Sequence, residues 1–447
     1  MPPEAGRIDA RLSTFDTAMV VVSLVVGIGI FRTPAIVSRE AGTSGLFFAA
    51  WALGGLISLI GALTFAEIGS RHPRAGGYYR VVADCYHPML AFMLNWAQTL
   101  MQGAGAAGVA FIGAEYLIGL VLPAGRRGPG SALAFACALM LVLLLLNGLG
   151  IRIGSRTQNV LSMLKIAMIL GLAAAALALA PRADGTAPGA RAHAGAPAAL
   201  AAALIPVFYA YGGYQMTMNL GADVKDARRR FPLAVTAGML AVVALYLVLN
   251  YAYERTLGIE GVAGSRLVAA ALARASLGPA GEAAVSVAIF LSAAGFVNAT
   301  VLQMPRSFYA MAQDGVLPRA FLDVHPRTQV QPAGLALFGL TMLVPAFLLG
   351  SFEKLLNYVL FTDALTLLVV ASTLFVLRKR RAGGEGVFRT PGYPVVPAIY
   401  LLCLFGVAAH IAVTETRLAL AGSVVLLTGW PLFLLGRRLS GSRAASG

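Results

Sequence analysis

Apolar runs about as long as a bilayer is thick recur from one end of this chain to the other. No other feature constrains its fold so tightly. A hydrocarbon core of about 30 Å takes about 20 helical residues to cross. No water is available there to satisfy stray backbone groups, so each run must close its own hydrogen bonds as a helix. The runs fall at 13–38, 44–69, 85–120, 131–149, 157–180, 198–221, 232–252, 283–313, 332–350, 352–377, 394–413 and 416–435. Only 12% of the 447 residues are charged, against about 25% in a soluble domain. The expected class is an all-α polytopic membrane protein with about 12 transmembrane helices.

The polar start, "MPPEAGRIDARLSTFD", has neither a basic n-region nor a cleavage site, so the first apolar segment is expected to stay in the mature chain. The net charge of +15 raises the question of a polyanionic partner, but the basic residues follow the loops. With the N-terminus inside, inward segments hold roughly twice the Lys and Arg of outward ones, which is the positive-inside pattern. Charge therefore reports topology, with both termini cytoplasmic, and no nucleic acid is expected. Cys85, Cys137 and Cys403 have no paired spacing, and no metal or other cofactor is indicated. No Gly-rich phosphate loop ending in Lys-Ser/Thr is present, which argues against ATP-driven pumping by this chain.

Two runs are poor helices at their centres. In "VVSLVVGIGIFRTPA" Gly27 and Gly29 fall mid-run, and Arg32 and Pro34 follow within five residues. In "AAALIPVFYAYGGYQMTMNLGADVKDARRRFP" Gly212 and Gly213 stand in the middle and the run turns polar before its end. Glycine costs about 1 kcal/mol relative to Ala inside a helix, although small residues also serve close packing of membrane helices. The interrupted runs are the first and the sixth. If the first ten spans form two five-span repeats, they occupy matching positions, the pattern of an inverted-repeat secondary transporter with a midplane site. A broken helix bares N–H groups at one half-helix start and C=O groups at the other half-helix end. An amino-acid zwitterion needs that pair of opposite partial charges.

Four stretches carry a likeness to a known family: "VVGIGIFRTPA"; "WALGGLISLIGALTFAEIGSRHPRAGGYYRV" at 51–81; "FYAYGGYQMTMNLGADVKDARRRFPLA" at 208–234; and "NATVLQMPRSFYAMAQDGVLPRAFLDVHPRTQVQP" at 298–332. With "LFVLRKRR" at 374–381 they resemble the amino acid–polyamine–organocation superfamily over about residues 13–400. Within it the chain is similar to bacterial amino-acid permeases close to the L-type exchangers. The resemblance implies a five-plus-five inverted repeat with broken first and sixth helices and two extra C-terminal helices. The implied organisation is a cytoplasmic N-terminus (1–12), a first repeat (13–180), an external loop (181–197), a second repeat (198–377), a cytoplasmic loop (378–393), two further spans (394–435) and a cytoplasmic tail (436–447).

It also implies a site. The substrate carboxylate is expected on backbone N–H groups around Gly27, Ile28 and Gly29, and the ammonium on carbonyls near Val25 and Tyr209. Val26, Ala210 and Tyr211 flank these positions, Tyr209 falls where relatives place a gating aromatic, and Gly212 and Gly213 leave room for the side chain. Ile28 stands where relatives often carry Ser, a departure that narrows the site. Lys165, about eight residues or ~12 Å into the fifth run, costs roughly 2.5–3.5 kcal/mol as an intramembrane charge. It either snorkels to the interface or does work. Sodium-independent relatives carry a lysine there whose ammonium takes the place of a sodium ion, leaving it as a proton carrier or a fixed cation. Phe296, where relatives often have a small polar residue, also weakens a sodium site. Asp363, mid-run in "LLNYVLFTDALTLLVV", is either a coupling or cation-binding group or a packing residue bonded to Thr362 or Tyr358. Glu67 and Glu115 are expected to be solvated at span ends, and His410 to be a packing residue.

The leading expectation is a secondary active amino-acid transporter, either a sodium-independent exchanger or a proton symporter, in a bacterial cytoplasmic membrane. It works as a monomer, with the lipid bilayer and its small-molecule substrate as its partners. The alternatives are a non-transporting amino-acid sensor and a permease for polyamines or other organic cations. A membrane enzyme is disfavoured, since no span pairs a Ser or Cys nucleophile with a His base.

Overall fold

The computed structural model describes residues 9–27, 29–183, 195–265, 267–349, 359–414 and 416–444, and every regular element among them is helical. The first apolar run is two helices, α1 (Thr14–Val25) and α2 (Gly29–Ala41), bent by 47° where they meet. Ser13 and Asp16 cap α1 reciprocally, each side chain accepting from the other's backbone N–H, so the helix starts where its sequence signature says. Beyond it lie α3 (Ser44–Arg71), the short α4 (Gly77–Cys85), α5 (Pro88–Val121), α6 (Pro129–Gly148) and α7 (Ile151–Leu179). The second half holds α8 (Ala196–Ala210), a 3-10 turn at Tyr214–Asn219, α9 (Ala227–Gly264), α10 (Val268–Leu277), α11 (Pro279–Gln303) and α12 (Pro305–Gln313). The chain continues through α13 (Pro332–Leu349), α14 (Val359–Lys379), α15 (Val395–Thr414) and α16 (Thr416–Ala444).

Among the described residues ten helices are long and apolar enough to cross a membrane, and the bent α1–α2 pair makes an eleventh. The expected span at 332–350 coincides with α13, whose apolar part, Pro332–Phe347, is shorter than the rest. The boundary expected between that span and 352–377 lies outside the described residues. Several helices outrun their apolar segments. α7 starts at Ile151, just after Gly150 at φ 141°, α9 runs from Ala227 to a kink at Gly258 (φ 67°) and beyond, and α16 reaches Ala444, inside the expected 436–447 tail. The reason is physical: a helix closes its backbone bonds in water as in lipid, so hydropathy marks where the membrane ends and not where the helix does.

α1 is the buried axis of the fold, packed by α7, α9 and α11, with Val20 through Val26 essentially sealed from the surface. α2 and α3 lie against α8, and α5 against α11 and α13. Close approach uses small residues, as expected where lipid competes with the helix interface. A Cβ on Gly103 of α5 would sit 2.5 Å from the Thr341 carbonyl oxygen of α13. The outer surface carries Leu145, Val160, Leu179, Phe347, Leu402 and Phe405, large apolar side chains that suit contact with lipid tails.

Candidate functional site at two helix breaks

The two broken runs meet. α1 ends with the Gly27 N–H donating to the Val25 carbonyl at 2.8 Å. α8 ends in a tight turn in which the Gly212 N–H donates to the Tyr209 carbonyl at 3.1 Å, and Gly213 then adopts φ 117°. That conformation lets the α8 break lie on α1, because a Cβ at Gly213 would stand 2.4 Å from the Leu24 carbonyl oxygen. Gly29, the first residue of α2, faces Ala210 in ordinary van der Waals contact. Tyr246 of α9 joins the two ends, its hydroxyl 3.0 Å from the Val25 carbonyl oxygen and 3.1 Å from that of Ala210. One hydroxyl proton serves one acceptor at a time, so Tyr246 fixes both half-helix ends while fully satisfying neither. Its ring is held against Tyr211 at 5.0 Å and Trp51 at 5.7 Å.

Lys165 reaches the same place from α7. Its ammonium donates to the Val26 carbonyl at 2.5 Å and the residue is 1% exposed, so it does not snorkel to the interface. A cation here meets the negative end of the α1 half-helix. On its far side α11 offers only Gly295, where a Cβ would lie 3.2 Å from the ammonium and 3.0 Å from the Ser23 hydroxyl. From Ser23 a buried polar chain crosses four helices. Ser23 and Ser162 hydroxyls are 2.7 Å apart, Gln158 donates to Ser162 at 3.1 Å, Asn298 to Gln158 at 2.8 Å, and Asn147 to Asn298 at 2.7 Å. Phe296, beside Gly295, packs against the apolar core.

Of the residues singled out from the sequence, Val25, Val26, Gly27, Gly29, Tyr209, Ala210, Tyr211, Gly212 and Gly213 all fall at this junction; Ile28 lies outside the described residues. The carbonyls expected to receive an ammonium, those of Val25 and Tyr209, already accept from the protein itself. Gly27 is the open side of the break: a Cβ there would meet nothing within 4 Å. Asp363 of α14 lies beside this junction and not in it, its Oδ1 accepting from Gln98 of α5 at 3.1 Å. Of its two expected packing partners, Thr362 leaves its hydroxyl unbonded and Tyr358 lies outside the described residues. Sequence reasoning passed over Tyr246 and Gln98. The available signal was a polar residue amid apolar ones, with Asn250 one turn after Tyr246 and Asn95 three residues before Gln98.

Ion pairs fasten one end of the bundle. Arg306 grips Asp223 with two bonds at 3.0 and 3.1 Å, and residues 11 and 12 pair with the backbone of Asp223 and Val224. Arg80 and Tyr79 converge on Asp314 at 2.6 and 2.8 Å. Glu67, expected to be solvated, is fully buried between Arg71 and Arg378, with the Thr390 N–H donating to it at 2.7 Å. Burying a carboxylate becomes tolerable only with such partners. Beside this group His72 bonds Asp84 at 2.7 Å, and its burial pushes the imidazole below its ordinary value of 6.5 despite that carboxylate. His410, expected to pack internally, is exposed on α15. No metal-holding group of His, Cys, Asp and Glu occurs among the described residues.

An all-helical bundle with two apposed helix breaks defines a class, and comparison with known families agrees. The Amino acid permease family matches residues 12–432, and the chain belongs to it: a multi-pass membrane transport protein and not an enzyme. Among individual proteins it is similar to the serine/threonine exchanger SteT of Bacillus subtilis, 28% identical over 97% of this chain and 98% of that one. It is 26% identical to the human cystine/glutamate transporter, covering 97% of this chain and 87% of the other. The human Asc-type amino acid transporter 1 follows at 25% identity, over 97% and 83%.

Proposed function

We propose that this permease is a sodium-independent secondary carrier that exchanges amino acids by alternating access, with the backbone of the substrate bound where the two broken helices meet. The observation that carries the reading is the buried Lys165 amino group on the Val26 carbonyl, which fills the break with a basic group of the protein's own. A second cation placed there would be repelled at short range in a low-dielectric site. The substrate carboxylate takes the open Gly27 face and the first N–H groups of α2, donors that a helix start leaves without internal acceptors. The substrate ammonium competes with the Tyr246 hydroxyl for the Val25 and Ala210 carbonyls, so binding and release exchange one donor for another without baring either end. Alternating access follows by rocking one five-span repeat on the other, with the Asp223–Arg306 contact opening on the cytoplasmic side. The reading assigns both termini to the cytoplasm and a single subunit as the working unit. It is also supported by a relative named as an exchanger over nearly the full chain.

The test is uptake of labelled amino acids into proteoliposomes, with and without internal amino acid. Uptake that needs internal substrate and is unchanged when choline replaces sodium is the expected result. Uptake into empty vesicles that follows an inward proton gradient replaces exchange by symport; collapse in choline removes Lys165 from its assigned role.

A further inference from the structure

Among the described residues Asp363 has no counter-charge. It is half-buried against α5, and its one hydrogen-bonding partner among the described residues is the neutral amide of Gln98. A carboxylate within a membrane-spanning helix is costly unless something positive or protonated completes it. The walls around it are unusually open to a donor. The Gln98 Oε1, the Tyr209 hydroxyl and the Tyr78 hydroxyl are all buried without a partner. Tyr209 and Tyr78 lie within electrostatic reach of the Asp363 charge, as do Tyr214 and Tyr400, whose hydroxyls bond one another at 3.0 Å. Gln98 also points its amide at Met216, in the turn that follows the α8 break, so the cluster adjoins the proposed site.

From this geometry we infer that Asp363, Gln98, Tyr209 and Tyr78 form a receptor for the positively charged end of a substrate side chain, making basic amino acids the preferred cargo. The inference rests on the permease reading above and deepens it. Counting favours a cation over a bare proton. A proton on Asp363 offers one donor, whereas three unpartnered oxygens accompany the carboxylate; an ammonium brings three donors and a guanidinium five. Tyr209, at the α8 break, spans the backbone subsite and the carboxylate, placing the side-chain charge beyond the zwitterion and not on it.

The experiment is competition against a labelled substrate in proteoliposomes of the full chain, using lysine and ornithine beside their uncharged counterparts norleucine and norvaline, at external pH 6 to 8. The wild type is expected to prefer the basic member of each pair by about tenfold or more at every pH, the scale of a buried charge pair. In Asp363→Asn that preference should shrink by about tenfold or more within the same preparation, a ratio that differences in protein amount do not affect. A wild type that ranks norleucine with or above lysine overturns the inference and leaves the permease reading intact; one that takes up no amino acid at all sinks that reading instead. Equal ranking of the two members of each pair, with uptake of both rising only at acidic pH, assigns Asp363 to a proton and overturns the cation receptor. If Asp363→Asn does not fold, Gln98→Leu tests the same ratio through the amide, and an unchanged preference there also counts against it.

Discussion

Gly213 shows how much can hang on one residue. Its φ of 117° belongs to a region that side chains rarely enter, and a methyl group there would press on the Leu24 carbonyl oxygen. Gly213→Ala is expected to cost about 2 kcal/mol or more through backbone strain alone, and to push α8 off α1. The measurement is the melting temperature of the detergent-solubilised protein together with its uptake; loss of transport with an unchanged melt would remove strain as the cause. Gly27, with open space around it, shares the same sequence signal for a different reason. A glycine in a membrane run announces that a helix is interrupted or closely approached, but which of these applies depends on what packs opposite. Lys165 makes the same point about charge. Its place in an apolar run marked it as exceptional, while its acceptor, the Val26 carbonyl, belongs to another helix.

At the scale of elements, the C-terminal ends of α3 and α14 are fastened by Glu67. It takes Arg71 from its own helix, Arg378 from α14 and the Thr390 N–H from the loop beyond, all at 2.7 Å. Removing one partner of a buried ion cluster leaves the others charged and unpaired, at a cost of about 3–5 kcal/mol. Glu67→Ala should therefore lower the thermal midpoint markedly and loosen α14, whereas Glu67→Gln, which keeps hydrogen-bonding capacity, should lose less. Equal loss in both variants would mean that charge is not what holds the ends. Helix positions followed from apolar length, and the α1 start from its Ser13–Asp16 cap. Helix lengths did not, since the polar turns of α7, α9 and α16 continue where hydropathy has already fallen.

For the molecule as a whole, the Asp223–Arg306 pair sits where α12, the segment after α8 and residues 11–12 converge. On the proposed alternating-access reading Asp223→Asn loosens that contact, so the expected outcome is faster labelling, by membrane-impermeant thiol reagents, of a cysteine introduced beside it. Labelling equal to that of the parent would show that the pair does not hold this end. The sequence by itself determined the class of protein, the approximate placement of its spans and the two points where helices break, because bilayer thickness and backbone hydrogen bonding leave a long apolar run few choices. It also singled out Lys165 and Asp363, since charge in hydrocarbon is costly wherever it falls. Only the tertiary structure decided what those features meet: that Tyr246 spans both breaks, that Lys165 caps α1 while Asp363 faces Gln98 instead, and that Glu67 is buried and not solvated. These are contacts between residues far apart in the chain, and local patterns of hydropathy and propensity carry no information on which distant donor reaches which carbonyl.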